Sequence, residues 1–382
     1  MRFFTAIVSL ALVFPALAAP SSLHTVQTFD GEKTNKYIVK LKEGVSHSGF
    51  SNAVDGITDS WPDFNSFAAV LSEEALNELR GSEDVEYIAE DGIMSIFASQ
   101  TNAPWGLGRI VQPGRLTGSA GSLSFTYSWD DPPAGQGVDV YVVDTGIYTA
   151  HGQFGGRARW GATYGNYANA DGNGHGTHCA GTIGSTAYGA AKKVNVIAVK
   201  VLSDAGSGSV SDIVNGLNYV LTSARASGRP SIVSMSLGGG ASSPLDNAVT
   251  TLTTGGVHVV VAAGNDGGNA GSTSPARTPS AITVGASDIT DAKASFSNYG
   301  AVVDIFAPGV NVISTWIGST TATNSISGTS MATPHVAGAL AYLISVEGNN
   351  TPAYWSTRLQ ALSVKGALSG IPSGTVNYLL QA

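Results

Sequence analysis

Four polar residues at the ends of apolar runs carry the candidate chemistry of this 382-residue chain: Asp144 in VYVVDTGI, His175 in DGNGHGTHCAGT, Asn265 in VVVAAGNDG and Ser330 in SISGTSMATPHVAG. Each has an ordinary explanation when taken alone. Asp144 could cap the turn after a strand, Asn265 could form a turn, His175 could be a satisfied core histidine, and Ser330 could cap the helix that follows it. Together they form the set that acyl transfer needs. A serine hydroxyl is a weak nucleophile until a base takes its proton, and the base must be held in one tautomer. The tetrahedral oxygen then needs donors already in place, such as the Asn265 amide. A carboxylate ending an apolar strand is costly without a partner, which gives Asp144 a reason to meet the histidine.

The order of the parts discriminates between folds. An α/β-hydrolase runs Ser, then Asp or Glu, then His. Here the one histidine after Ser330 is His335, five residues on along the same expected helix. That excludes the lipase and esterase topology. A zinc reading would use His175, His178 and Cys179, with Asp171 as a fourth ligand. Structural zinc usually takes two well-spaced ligand pairs, and the HExxH motif is missing. His178 is therefore read as a core histidine.

The elements that must position these residues are legible as short β-branched runs: VDVYVVD, NVIAVKVL, IVSMSL, VHVVVAAG and AITVGA. They show little polar alternation, as strands buried on both faces do in a parallel sheet. Between them lie helical patterns in GTHCAGTIGS, SVSDIVNGLNYVLTSARASG and PLDNAVTTLTTGG, with HVAGALAYLISVEG after the serine. Strand–helix alternation implies an α/β fold, a doubly wound and mostly parallel sheet with helices on both faces, whose sites form at the C-terminal strand ends.

The N-terminal part reads differently. Residues 1–18 have one basic residue, Arg2, an apolar run and a small-x-small Ala16-Leu17-Ala18 end, the pattern of a secretory signal peptide. No later stretch is long enough to span a membrane. Residues 35–97 look like a small α+β unit, with strands at NKYIVKLK, FNSFAAVL and VEYIAEDGIMSIF and a helix at SEEALNELRG opened by Ser72. Residues 19–97 carry 14 acidic against 5 basic side chains, whereas residues 98–382 carry 13 of each. A neutral main domain has no basic stripe for nucleic acid. The acidic segment, followed by the polar connector SQTNAPWGLGR, reads as a part to be discarded. Cys179 is the single cysteine, so no intrachain disulfide forms and stability has to come from a large core or bound metal.

The motifs VVDTGI, HGTHCAGT, SMSLGGG, VVAAGND and SGTSMATPHVAG, in that order, identify the chain as resembling the subtilisin-like serine proteases, in their secreted fungal, proteinase K-like branch. The resemblance spans about residues 100–380. It implies Asp144 as the residue that orients the imidazole, His175 as general base and acid, Ser330 as nucleophile, and Asn265 with the Ser330 backbone N–H as oxyanion hole. It further implies that Gly206, Ser207 and Gly208, with Ser236, Leu237 and Gly238, sandwich an extended substrate as an added strand. In place of an aromatic residue usual in the segment GSGSVSD, residues 206–212, the chain has Val210. A structural calcium is implied on the Asp304 carboxylate and the carbonyls of Pro279 and Ala281.

By the same resemblance residues 19–97 are a propeptide with a ferredoxin-like inhibitor unit at 35–97. It assists folding, blocks the cleft as inhibitor, and is cut off by the peptidase domain, residues 98–382, with Phe97 in the primary specificity pocket. The expected protein is a secreted, monomeric serine endopeptidase with broad specificity and an apolar or aromatic preference before the scissile bond, without membrane or nucleic-acid partners. Two rival readings are a secreted hydrolase of small esters and a catalytically silent binding protein on the same fold. Asn349-Asn350-Thr351 is an N-glycosylation sequon.

Overall fold

The computed structural model describes residues 23–29, 33–93, 97–130 and 133–382. The signal-peptide reading of residues 1–18 lies outside them. The chain divides into two compact units, residues 1–94 and 95–382.

In the first unit Lys33–Leu41, His47–Ser51, Ile57–Trp61, Ser66–Ala69, Glu73–Gly81 and Val85–Gly92 follow one another as β-α-β-β-α-β, the order of a ferredoxin-like unit. The last strand pairs with the first, and the first with Ser66–Ala69, all antiparallel. Ser72 caps the second helix by accepting from the Ala75 N–H at 3.2 Å, and Glu73 and Glu74 in its first turn complement the helix dipole. Val39, Leu41, Phe67, Leu79, Val85 and Ile88 form a core of their own.

The second unit is built on nine strands: β1 (Asp139–Asp144), β2 (Ala158–Thr163), β3 (Asn195–Lys200), β4 (Ser231–Met235), β5 (His258–Ala262), β6 (Ile282–Ser287), β7 (Ile305–Pro308), β8 (Val364–Lys365) and β9 (Tyr378–Leu379). They lie in the order β8-β9-β7-β6-β5-β4-β1-β3-β2. Every pairing is parallel except β8 with β9. The doubly wound sheet is as expected, and the reason for the unbroken apolar runs is visible in the packing. Along β1, Val140 and Val142 point into one core with α1 (His175–Gly184), α4 (Thr329–Glu347) and α5 (Pro352–Leu362). Tyr141 and Val143 point into the other, with α2 (Val210–Ser227) and α3 (Ser243–Thr254). Successive side chains alternate between faces, so burial on both sides leaves no polar face to alternate with.

Two expectations need correction. The helix after the serine begins at Thr329, ahead of the HVAG run, and Pro334 lies inside it. Ser330 therefore sits in the first turn and is not its cap; Gly328 holds the cap position and makes no side-chain bond. The second concerns Phe97. Its backbone pairs with Asp130 in an antiparallel ribbon formed by Phe97–Ala103 and Phe125–Asp130. Tyr342 donates to the Asp130 carboxylate at 3.2 Å. Tyr342 is twelve residues past Ser330 in α4, about 18 Å along the helix axis. The bond after Phe97 lies in this ribbon here. Among the described residues no helix is long and apolar enough to cross a membrane.

Candidate active site

The four residues singled out by type arrive at the C-terminal edge of the sheet from separate elements. Asp144 ends β1 and is wholly buried. Its Oδ1 accepts from the Thr145 N–H at 2.7 Å. His175 is the first residue of α1, and its Nδ1 lies 2.8 Å from Asp144 Oδ1 and 3.0 Å from Oδ2. With Nδ1 donating to the carboxylate, Nε2 is left as the acceptor, the tautomer a base needs. Burial pulls the imidazole pKa down, but the Asp144 charge, its hydrogen bond and the charge of Asp171 outweigh that and hold it above the ordinary histidine value.

Ser330 is carried toward this pair by α4. Cys179, one turn along α1 from His175, donates its thiol to the Ser330 carbonyl at 3.4 Å, so the first turns of α1 and α4 touch. The Ser330 hydroxyl donates to the Ser236 carbonyl at 3.2 Å, and the Ser236 hydroxyl donates back to the Ser330 carbonyl at 2.9 Å. These bonds tie the end of β4 to the serine turn.

Asn265 follows β5. Gly264 before it takes φ +101°, and a Cβ there would stand 2.3 Å from Asn298 Nδ2, so only glycine permits the turn. The Asn265 amide oxygen accepts from the Thr329 N–H at 2.8 Å and the Thr329 hydroxyl at 2.9 Å. With Oδ1 held, Nδ2 is the end that faces the cleft. A Cβ built on Gly328 would lie 3.6 Å from both Asn265 Nδ2 and the Ser330 N. Two donors therefore converge on space that a side chain at residue 328 would occupy.

The cleft beside these residues has two adjoining parts. One, of about 440 Å³, is lined by His175, Gly206, Ser207, Gly208, Ser236, Leu237 and Gly238. Val210, Leu202, Ile213 and Leu245 add apolar surface there. The other, of about 530 Å³, is lined by Ser236, Leu237, Gly238, Asn265 and Ser330 among others. All six residues expected to flank a substrate strand are at this cleft. Sequence reasoning missed Asp266, the acidic residue lining the second part; its place directly after Asn265 was the available signal. Thr145, which orients Asp144, was likewise passed over.

The zinc set does not assemble as a site. Asp171 spends both oxygens on Thr145, Asn173, Gly174 and Thr177. His178 turns its Nε2 to the Val312 carbonyl at 2.9 Å, and burial pushes its pKa down to about 3. It is a neutral core histidine, as expected. His335, also buried and down at about 4, bonds the Met331 carbonyl.

The expected calcium ligands lie at the opposite part of the sheet. Val284 of β6 pairs with Ile305 of β7, so Asp304 stands beside Thr283, two residues after Ala281. Its carboxylate accepts from the Thr283 N–H at 2.8 Å and the Gln360 amide at 3.3 Å. Both donors are neutral, and burial raises this carboxyl to about 6. Pro279 opens onto an adjacent cavity with Gln360.

A family model for the subtilase family, Peptidase_S8, matches residues 135–379. The chain belongs to the subtilase family. This subtilase is 48% identical over 371 residues to the cuticle-degrading protease of Metarhizium anisopliae, covering 95% of this chain and 93% of that protein. It is 48% identical to Proteinase R of Parengyodontium album, covering 90% and 88% of the two chains. A crystal structure of a cold-adapted subtilisin-like serine proteinase, 42% identical, superposes with a TM-score of 0.66 over 73% of this chain and 98% of that one. The subtilase is a serine endopeptidase acting on protein substrates.

Proposed function

We propose that this subtilase cleaves extended segments of protein with broad tolerance, through an acyl-enzyme on Ser330. The observation that carries the reading is the Asp144–His175 pair meeting the Ser330 turn beside two converging N–H donors. In the reaction the Ser330 hydroxyl exchanges the Ser236 carbonyl for His175 Nε2, gives up its proton there, and Oγ bonds to the substrate carbonyl carbon. The carbonyl oxygen becomes an oxyanion held by Asn265 Nδ2 and the Ser330 N–H. Collapse breaks the C–N bond, and the leaving amine takes the proton from His175. Water then enters by the same base and frees the acid.

Segments 206–208 and 236–238 bind the substrate backbone as an added strand, which reads shape and apolar character more than sequence. The pocket beside Ser330 takes an apolar or aromatic side chain, and Asp266 at its wall admits a lysine or arginine as a minority choice. The test is digestion of a reduced, denatured protein with mass-spectrometric mapping of the cuts. Expected are cuts mainly after Phe, Tyr and Leu, fewer after Lys or Arg, and loss of all cutting when a fluorophosphonate modifies Ser330. Hydrolysis of activated esters without any cut in the denatured protein would favour the small-ester hydrolase.

We infer further that residues 1–18 direct secretion and that residues 19–97 are a propeptide which assists folding and inhibits the cleft until removed. Because residues 97–103 pair with 125–130, the bond after Phe97 must be cut before that ribbon closes on it, or be cut by another molecule.

Residues Asp304, Pro279 and Ala281 fit a calcium ion by the chemistry of the donor set: oxygen ligands only, with a partly buried carboxylate that has neutral partners. Bound calcium would neutralise that carboxylate and stabilise the turn before β6. At a calcium concentration of about 100 times Kd the gain is about 2.7 kcal/mol. A chelator is therefore expected to lower Tm by about 4–5 °C at neutral pH. Protons compete for Asp304, so the calcium effect fades as pH falls through about 6. A Tm unmoved by chelator at pH 8 overturns the site.

A further inference from the structure

We propose that Asp171 is a positioning residue of the acyl-transfer site: it locks the Asp144 turn to the start of the His175 helix and supplies the negative charge that lets an imidazolium form at a helix N-terminus. The inference rests on the triad reading above and adds a residue that the triad does not contain.

The problem Asp171 solves follows from placement. His175 is the first residue of α1, and the N-terminal end of a helix carries a partial positive charge with unpaired N–H groups. Such an end disfavours a cation. A general base at this position must nevertheless become an imidazolium during each turnover. Gly174, the cap residue, has no side chain with which to answer the orphan donors.

Asp171 answers them from outside the helix. The residue is buried. Its Oδ1 accepts from the N–H groups of Asn173 and Gly174 at 3.1 and 2.9 Å. Its Oδ2 accepts from the Thr177 N–H at 3.0 Å and the Thr177 hydroxyl at 2.6 Å. A fifth bond runs the other way across the site: the Thr145 hydroxyl donates to Asp171 Oδ1 at 2.9 Å while accepting from the Gly176 N–H at 3.0 Å. Thr145 also orients Asp144 through its own N–H, and its carbonyl accepts from the buried Lys200 ammonium at 2.6 Å. One carboxylate thus clamps both members of the Asp144–His175 pair to a common frame.

The other titratable groups around His175 do not supply the same charge. Asp144 from β1 makes the direct contact. His178 on α1 and His335 on α4 are neutral by burial, and burial holds the Cys179 thiol well above its usual value. Lys200, the last residue of β3, and Asp204 beyond it pair with each other at 2.9 Å. Asp171 is the second anion whose charge supports protonation of His175.

The test compares Asp171→Asn with Thr145→Val, reading kcat and KM on a chromogenic anilide across pH. Asp171→Asn removes the charge. Its acid limb is expected to move to lower pH by about 0.5–1 unit, with plateau kcat down about 10–100-fold and KM little changed. Thr145→Val keeps the charge and loses the bridge, so kcat falls about 10-fold with the acid limb in place. A purely structural role would lower kcat in both without moving the limb. Should Asp171→Asn yield no processed enzyme, the His175 imidazole is titrated by NMR in the full chain carrying Ser330→Ala, with and without Asp171→Asn. A lower midpoint supports the proposal. An unmoved acid limb or midpoint, or wild-type kcat in Thr145→Val, overturns it. In that event an inactive Ser330→Ala enzyme still leaves the triad intact, so the two readings fail separately.

Discussion

Ser330→Ala lowers kcat by about 10⁶-fold, the scale found when subtilisin loses its nucleophile. The substitution removes one oxygen from a turn whose backbone is held by other atoms. The Ser236 hydroxyl still reaches the residue 330 carbonyl, Cys179 still donates to that carbonyl, and Asn265 still grips Thr329. Alanine is the best helix former and is placed inside a helix. The fold should therefore survive while attack on the carbonyl stops. The oxyanion donors and the substrate strands remain, so a residual rate about 10³–10⁴ above water is expected. The same variant reads the processing step. Wild-type enzyme from the medium should begin near Ala98, and Ser330→Ala should retain the residues before it. Measured kcat within tenfold of wild type would move the nucleophile elsewhere.

Asp144→Asn lowers kcat by about 10⁴-fold at neutral pH, with a reason specific to this geometry. The Thr145 N–H donates to Oδ1, which fixes the amide oxygen at that position in the variant. The amide nitrogen then falls where Oδ2 now lies, 3.0 Å from His175 Nδ1. Two donors cannot face each other, so Nδ1 becomes an acceptor and Nε2 keeps the proton. The base is present in the wrong tautomer. The loss of charge acts in addition. His175 works in its neutral form, so activity appears as pH rises through its pKa. Asp144 holds that pKa up, and the acid limb of the residual activity should move to lower pH. A loss below about tenfold would show that the carboxylate does not set the tautomer, and an acid limb at its wild-type position would show that it does not hold the pKa up.

The sheet and the candidate site differ in how readily they are read from sequence. The inner strands are apolar on both faces and announce themselves, as VDVYVVD does. Ala158–Thr163 does not, because as the edge strand β2 it is only half buried and its ARWGAT sequence lacks a clear pattern. Ile305–Pro308 is four residues long and ends in proline, so it reads as loop. Pro334 hid the true start of α4, since proline normally marks a helix boundary; here it is carried within a helix buried nearly throughout. The strand Ile57–Trp61 of the first unit lies almost entirely in solvent and has too few apolar residues to be noticed.

The chain order of residue types established the reaction class before any geometry: Asp, His, Asn and Ser at strand ends and helix starts, with no later histidine able to serve the serine. Local sequence can do this because nucleophile, base and oxyanion donor are identities, and identities are written one position at a time. Tertiary structure alone decided which atoms face each other. It turned His178 into a neutral core residue and His175 toward Asp144, two side chains three positions apart on one helix. It also drew Asp171, a loop residue that the sequence offered as a fourth zinc ligand, into five hydrogen bonds around the pair. The reason is physical: hydrogen-bond partners and the sign of a pKa shift depend on distance and burial, and both are set by packing between segments far apart in the chain.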